Sequence, residues 1–156
     1  MRNSEKKKSP PAKRERGRFT EPELKALQSA GLDTSDLKLC CRCDMAPDGE
    51  YKDAWICFDS RGVYCAWGEE EIGRRRKKHG KPEISVNISS ISAVPIGDVD
   101  RLICEKYVST GALLTEKDGE PQILARFSLG RLGETDTFAN AFNEFREKGG
   151  FELPAD

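Results

Sequence analysis

The sequence has little of what most catalytic sites are built from. It contains one histidine, His79, in 156 residues, and that residue stands between Lys78 and Gly80 inside a basic run. A hydrolase needs a nucleophile, a base and an orienting group, and His79 has neither of the other two beside it. There is no G-x-x-x-x-G-K-[ST] for cradling phosphates and no G-x-G-x-x-G opening a helix, so P-loop ATP hydrolysis and dinucleotide binding have no support. No window approaches the roughly 18 consecutive apolar residues of a membrane-spanning helix, and the N-terminus lacks the apolar stretch of a secretory signal. The expectation is one cytoplasmic domain, at most held at the inner face of the cell membrane, that is not an enzyme and uses no cofactor. No internal repeat is present.

Six cysteines are there: Cys40, Cys41, Cys43, Cys57, Cys65 and Cys104. Without an export signal, and with a chain long enough to build a core, reduced thiols are expected. Cys40 and Cys43 form a C-x-x-C, but the surrounding residues read as a strand. On a strand Leu37, Leu39, Cys41 and Cys43 share one face and Cys40 points to the other, so the two ends of the motif face apart. No second C-x-x-C completes four tetrahedral ligands. Buried thiols packing as small hydrophobes are the preferred reading, with a structural zinc-binding module as an alternative.

The formal charge of -1 averages over an uneven distribution. Residues 1–18 carry eight basic and two acidic side chains, a Pro-Pro pair and almost no apolar surface, and read as a disordered basic tail. A second cluster, Arg74, Arg75, Arg76, Lys77, Lys78 and Lys81, falls between two predicted strands. The rest of residues 19–156 has 12 basic against 25 acidic side chains. Phosphate groups of an anionic membrane surface would be drawn to the cluster at roughly 1 kcal/mol per Lys or Arg. The plain alternative is a solvated loop, partly neutralised by Glu69, Glu70 and Glu71 on its approach, themselves read as a solvated loop. Nucleic acid is disfavoured as a partner, because the aromatic residues that would stack on bases fall in strands or a helix away from both basic runs. A nucleic-acid-binding protein using tail and loop stays as a second alternative.

Thr20-Glu21-Pro22-Glu23 is a capping-box signature that opens a short helix with Leu24 and Leu27 as its apolar stripe and Gly31 as its end. From Leu37 the period becomes that of strands, predicted at 37–44, 51–59, 62–68, 83–91, 101–108, 111–117 and 121–128. Pro47-Asp48-Gly49, Ser60-Arg61-Gly62 and Lys117-Asp118-Gly119-Glu120 supply turns. Ala54, Ile56 and Phe58 alternate with Trp55, Cys57 and Asp59, and Val63, Cys65 and Trp67 alternate with Tyr64 and Ala66. Both faces of this hairpin are apolar, which predicts a core on one side and a covering element on the other. A last helix is predicted at 136–148, capped by Thr135 or Asp136 and closed by Gly149-Gly150. Its residues Phe138, Ala141, Phe142 and Phe145 fall on one buried face. The organisation expected is a tail at 1–18, a short helix and connection at 19–36, a domain at 37–150 and the start of a linker at 151–156. The fold class is mainly β: seven antiparallel strands in a strongly bent sheet, or two sheets packed nearly at right angles, with the C-terminal helix plugging the open end.

That order of elements resembles the pleckstrin-homology-like fold. The stretches Leu39 to Tyr51 (LCCRCDMAPDGEY), Trp55 to Phe58 (WICF), Tyr107 to Leu114 (YVSTGALL) and Leu124 to Gly130 (LARFSLG) resemble the N-terminal cytosolic region of a group of bacterial ABC exporters. The likeness covers roughly residues 19–150. In those proteins the region precedes a zinc-ribbon segment, the membrane domain and the ATPase, whose motifs do not occur within these 156 residues. The resemblance implies a regulatory or interaction role beside the transporter's membrane and ATPase domains, and it assigns no functional residue.

Overall fold

The computed structural model describes residues 17–72 and 84–154. The elements are helix α1 (Glu21–Ser29), strands β1 (Leu39–Met45), β2 (Tyr51–Asp59), β3 (Gly62–Ile72), β4 (Ile84–Pro95), β5 (Arg101–Lys106), β6 (Thr110–Lys117) and β7 (Glu120–Ser128), and helix α2 (Leu132–Lys148). The expected architecture is present: seven antiparallel strands, a C-terminal helix and a short N-terminal one. All strands belong to one open sheet of order β4-β3-β2-β1-β7-β6-β5.

The seam of this sheet lies between β1 and β7, which share the single backbone pair Met45–Arg126. Side chains stitch it further. The Asp44 carboxylate accepts from the Ser128 backbone N–H at 2.8 Å and from its hydroxyl at 2.6 Å, and Arg126 Nε donates to the Pro47 carbonyl at 2.8 Å. Helix α2 touches both β5 and β1, three places apart in the strand order, so the sheet bends around it.

Period-2 alternation sorts the two cores as the sequence predicts. Leu39, Cys41, Cys43, Ala54, Ile56, Phe58, Val63 and Cys65 face α2, where they meet Phe138, Ala141 and Phe142. Cys40, Trp55, Cys57, Tyr64 and Ala66 face the other way, under Phe19 and Leu27. The covering element required on that second face is α1. Asp118 and Gly119 both take positive φ, +54° and +80°, the mirror-image turn that an Asp-Gly hairpin demands.

Some boundaries differ from expectation. β3 and β4 run to Ile72 and Pro95, so Glu69, Glu70 and Glu71 are not a loop: they are strand residues opposite Asn87, Val86 and Ser85. Their charges are tolerated because the cross-strand neighbours are uncharged. β5 stops at Lys106. Leu37 precedes β1 and packs toward α1, so it does not share the Cys41 face. Helix α2 starts at Leu132, after a 3-10 turn at Leu129–Arg131, so neither Thr135 nor Asp136 is its cap. Thr135 is buried in the first turns and donates its hydroxyl to the Arg131 carbonyl at 2.9 Å. The earlier start is fastened from outside, because the Glu134 carboxylate accepts from the Arg42 backbone N–H at 3.1 Å. Gly149, at φ +82°, ends the helix as predicted.

Edge strand β5 is fastened to α2 at Leu102. The Asn143 side-chain amide accepts from the Leu102 N–H at 2.8 Å and donates to the Leu102 carbonyl at 2.9 Å, replacing the missing neighbour strand, and Arg146 Nε donates to the Val99 carbonyl at 2.7 Å. Asn143→Ala orphans both Leu102 groups, and an unsatisfied half-buried pair of this kind costs about 1–3 kcal/mol. Urea denaturation of the variant should show that loss with an unchanged m-value.

Candidate functional site

Among the described residues two carboxylates, Glu23 and Asp59, are fully buried, and both are saturated by protein donors. Asp59 accepts from the backbone N–H groups of Arg61 (2.8 Å) and Gly62 (3.3 Å), from the Arg61 guanidinium (2.8 Å) and from the Tyr64 hydroxyl (3.1 Å), which pins the β2–β3 turn. Glu23 projects from α1 onto the sheet. Its Oε1 accepts from the Thr20 N–H and from Arg42 Nη2, both at 2.6 Å; its Oε2 accepts from Arg42 Nε at 2.6 Å and from the Trp55 indole N–H at 2.8 Å. Burial pushes the Glu23 carboxyl up, but the bonds from Arg42, Thr20 and Trp55 outweigh it and leave the group below its ordinary value. Arg42 also donates to the Arg18 carbonyl at 3.2 Å and lies over the Phe19 ring at 5.3 Å. This network clamps α1 to β1 and β2. The capping box announces Glu23 as a helix-start residue; nothing local announces that the same carboxylate holds Arg42, because that partner is 19 residues away.

The cysteines divide as their strand positions require. Cys40 faces α1 whereas Cys41 and Cys43 face α2, so the ends of the C-x-x-C lie in different cores. Burial pushes the Cys40 thiol up to about 12, and Cys41, Cys57 and Cys65 rise for the same reason, which disfavours the thiolate that reactivity or metal ligation needs. Among the described residues no group of three or more His, Cys, Asp or Glu is arranged to hold a metal ion.

The basic candidates Arg74, Arg75, Arg76, Lys77, Lys78 and Lys81, with His79, lie outside the described residues, as do residues 1–16 of the tail. Their points of attachment are described. Ile72 and Ile84 are Cα partners, so the run 73–83 leaves and rejoins the sheet at one place, the far end of the β3–β4 pair. Beside it, a depression of about 510 Å³ is lined by Asp44, Asp53 and Glu69 against one cation, Lys52. That margin offers no preformed pocket for an anion. Two of its carboxylates are also occupied: Asp44 by Ser128, and Asp53 by the Glu70 N–H at 3.1 Å.

The tail is rooted elsewhere. The Gly17 carbonyl accepts from the Cys40 N–H at 2.9 Å, and Cys40 lies in register with Cys57 and, beyond it, Tyr64. From Tyr64 to Ile72 is eight residues of β3, which at ~3.3 Å per residue separates the two roots by about 26 Å along the strand direction. The sequence brings both basic stretches into one hypothesis; the fold sets their points of attachment, at Gly17 and at Ile72 and Ile84, at opposite ends of the strands.

Fold and surface together define a seven-stranded antiparallel domain with a helix in its open end and a cationic segment rooted at one margin. No protein-family model, curated protein or solved structure matches the chain. Among the described residues no helix is long and apolar enough to cross a membrane.

Proposed function

We propose that this chain is a non-catalytic interaction domain that works beside the membrane and ATPase domains of an ABC exporter and touches the anionic cytoplasmic face of the membrane through Arg74, Arg75, Arg76, Lys77, Lys78 and Lys81. The observation that carries the membrane contact is the Ile72–Ile84 pairing, which roots six cations at one point on a body otherwise rich in acidic side chains. At roughly 1 kcal/mol per basic residue, six contacts sum to at most about 6 kcal/mol, and the acidic body, repelled by the same surface, faces away. The saturated state of Glu23 and Asp59 and the raised cysteine thiols support a role without bond chemistry.

Co-sedimentation with vesicles tests the reading. The full chain is expected to pellet with vesicles rich in phosphatidylserine and to stay in solution with phosphatidylcholine alone, losing most binding at high salt. Arg74→Glu, Arg75→Glu and Arg76→Glu together should abolish it. Removal of residues 1–16, rooted about 26 Å away, should leave most of it. Equal binding to both vesicle types, or binding to DNA or RNA and to neither vesicle, overturns the membrane contact.

A further inference from the structure

The two ends of the sheet are treated very differently. β5 carries Arg101, Glu105 and Lys106; Asn143 of α2 meets both backbone groups of its Leu102, and Arg146 bonds the Val99 carbonyl just before the strand. β4, at the other end, is twelve residues long without one charged side chain, and among the described residues no strand pairs with its outer edge. Edge strands are commonly defended by charge, proline or a cover, since their free N–H and C=O groups invite another strand. Here the defences are Pro95 at the very end, helix α1 packed over one face without a backbone hydrogen bond to the strand, and a bulge near the middle, where Ser89 is the extra residue between the Trp67 and Gly68 pairings and donates its hydroxyl to the Trp67 carbonyl at 3.1 Å.

The bulge leaves Ile84-Ser85-Val86-Asn87-Ile88 as a regular, open stretch. Ile84, Val86 and Ile88 are half-buried on the α1 side, and Ser85 and Asn87 are exposed on the other. We infer that two copies of this chain pair through this stretch, antiparallel, about a two-fold axis at Val86. The pattern reads the same in both directions. The axis sets Val86 opposite Val86 of the second copy and Ile84 opposite Ile88, so β-branched side chains meet on one face, while Ser85 meets Asn87 on the other.

A second copy fits better than a foreign strand because this palindrome satisfies itself at every position and buries no charge. The pairing closes at two, since a two-fold axis uses the same edge of both copies. The axis stands normal to the sheet, so both α1 helices flank it on one face. There they narrow the groove that Pro22, Lys25, Ala26 and Ser29 form above Val86 and Ile88.

Sedimentation velocity of the full chain from micromolar to several hundred micromolar tests this inference. A monomer–dimer equilibrium is expected. Ser85→Asp with Asn87→Asp, and separately Ser85→Lys with Asn87→Lys, place like charges opposite each other twice across the axis and should weaken the dimer about tenfold or more. Both positions are exposed, so far-UV circular dichroism should hold for both variants, and the thermal midpoint should hold for the Lys variant while falling slightly for the Asp one. Two signs are used because Glu71 and Glu69 lie opposite Ser85 and Asn87 within the chain. Mixing the Asp and Lys variants should restore a 1:1 dimer. A native protein that stays monomeric, variants that dimerise as well as the native chain, or a mixture that does not associate would each overturn the pairing. The outcome does not depend on lipid binding.

Discussion

Phe142→Ala is expected to lower the free energy of unfolding by about 3–5 kcal/mol, the usual cost of emptying a large aromatic from a packed interior. Phe142 is fully buried, and its ring stands edge-on to Phe58 at 5.2 Å between centroids. Phe58 is the hub of the helix-facing core, with Phe138 at 5.5 Å, Phe145 at 5.4 Å and Phe151 at 5.7 Å around it. Truncation at 142 therefore removes the ring's own buried area and one wall around Phe58. Domains of this size are stable by only about 5–15 kcal/mol, so the variant should sit near the edge of folding. Guanidinium denaturation measures the change. A midpoint shift no larger than that of an exposed substitution such as Glu147→Ala would remove α2 from the core.

Glu23→Ala should be comparably damaging, by about 3–5 kcal/mol, for a different reason. The substitution leaves Arg42 charged and 9% exposed with its main partner gone, and it strips the acceptor from the Trp55 indole. The loss comes from abandoning a buried charge, which gives the prediction a second arm. Glu23→Leu combined with Arg42→Met removes both charges and should recover most of the stability lost by Glu23→Ala alone. Trp55 fluorescence reports the event directly, since the indole lies under α1. If the double variant is as unstable as the single one, the pair is not the source of the effect.

The same network sets an acid limit. Because the folded-state value of Glu23 is depressed, its ionisation contributes stability at neutral pH, and that contribution fades as the pH falls below the ordinary carboxylate range and through the depressed value. An acid titration followed by Trp55 emission should show α1 loosening in that window, and Glu23→Gln should flatten the transition.

Much of this molecule was legible in the chain because the relevant physics is local. Alternation with period 2 depends on successive residues alone, so the assignment of Ile56 and Phe58 to one face and Trp55 and Cys57 to the other needs no knowledge of partners. It also separated Cys40 from Cys43. Asp118-Gly119 and Gly149 mark positive-φ positions by their own sterics. The aromatic stripe of α2 follows from helical geometry.

Tertiary structure decided what rests on distant partners. Glu69, Glu70 and Glu71 look like solvated loop until β4 supplies neutral neighbours opposite them. The start of α2 moved to Leu132 because Glu134 finds the Arg42 N–H, 92 residues away, and no local cap encodes that bond. Glu23 advertises itself as a capping residue, yet its larger role requires Arg42 and Trp55 to arrive from two strands. The two basic stretches belong together by composition, while topology attaches them at opposite ends of the strands. The sequence by itself determined which residues face inward, because that is a property of neighbours along the chain. Only the folded sheet decided which charges are paired and which strands lie at its two edges, because those depend on contacts that the chain makes with itself across tens of residues.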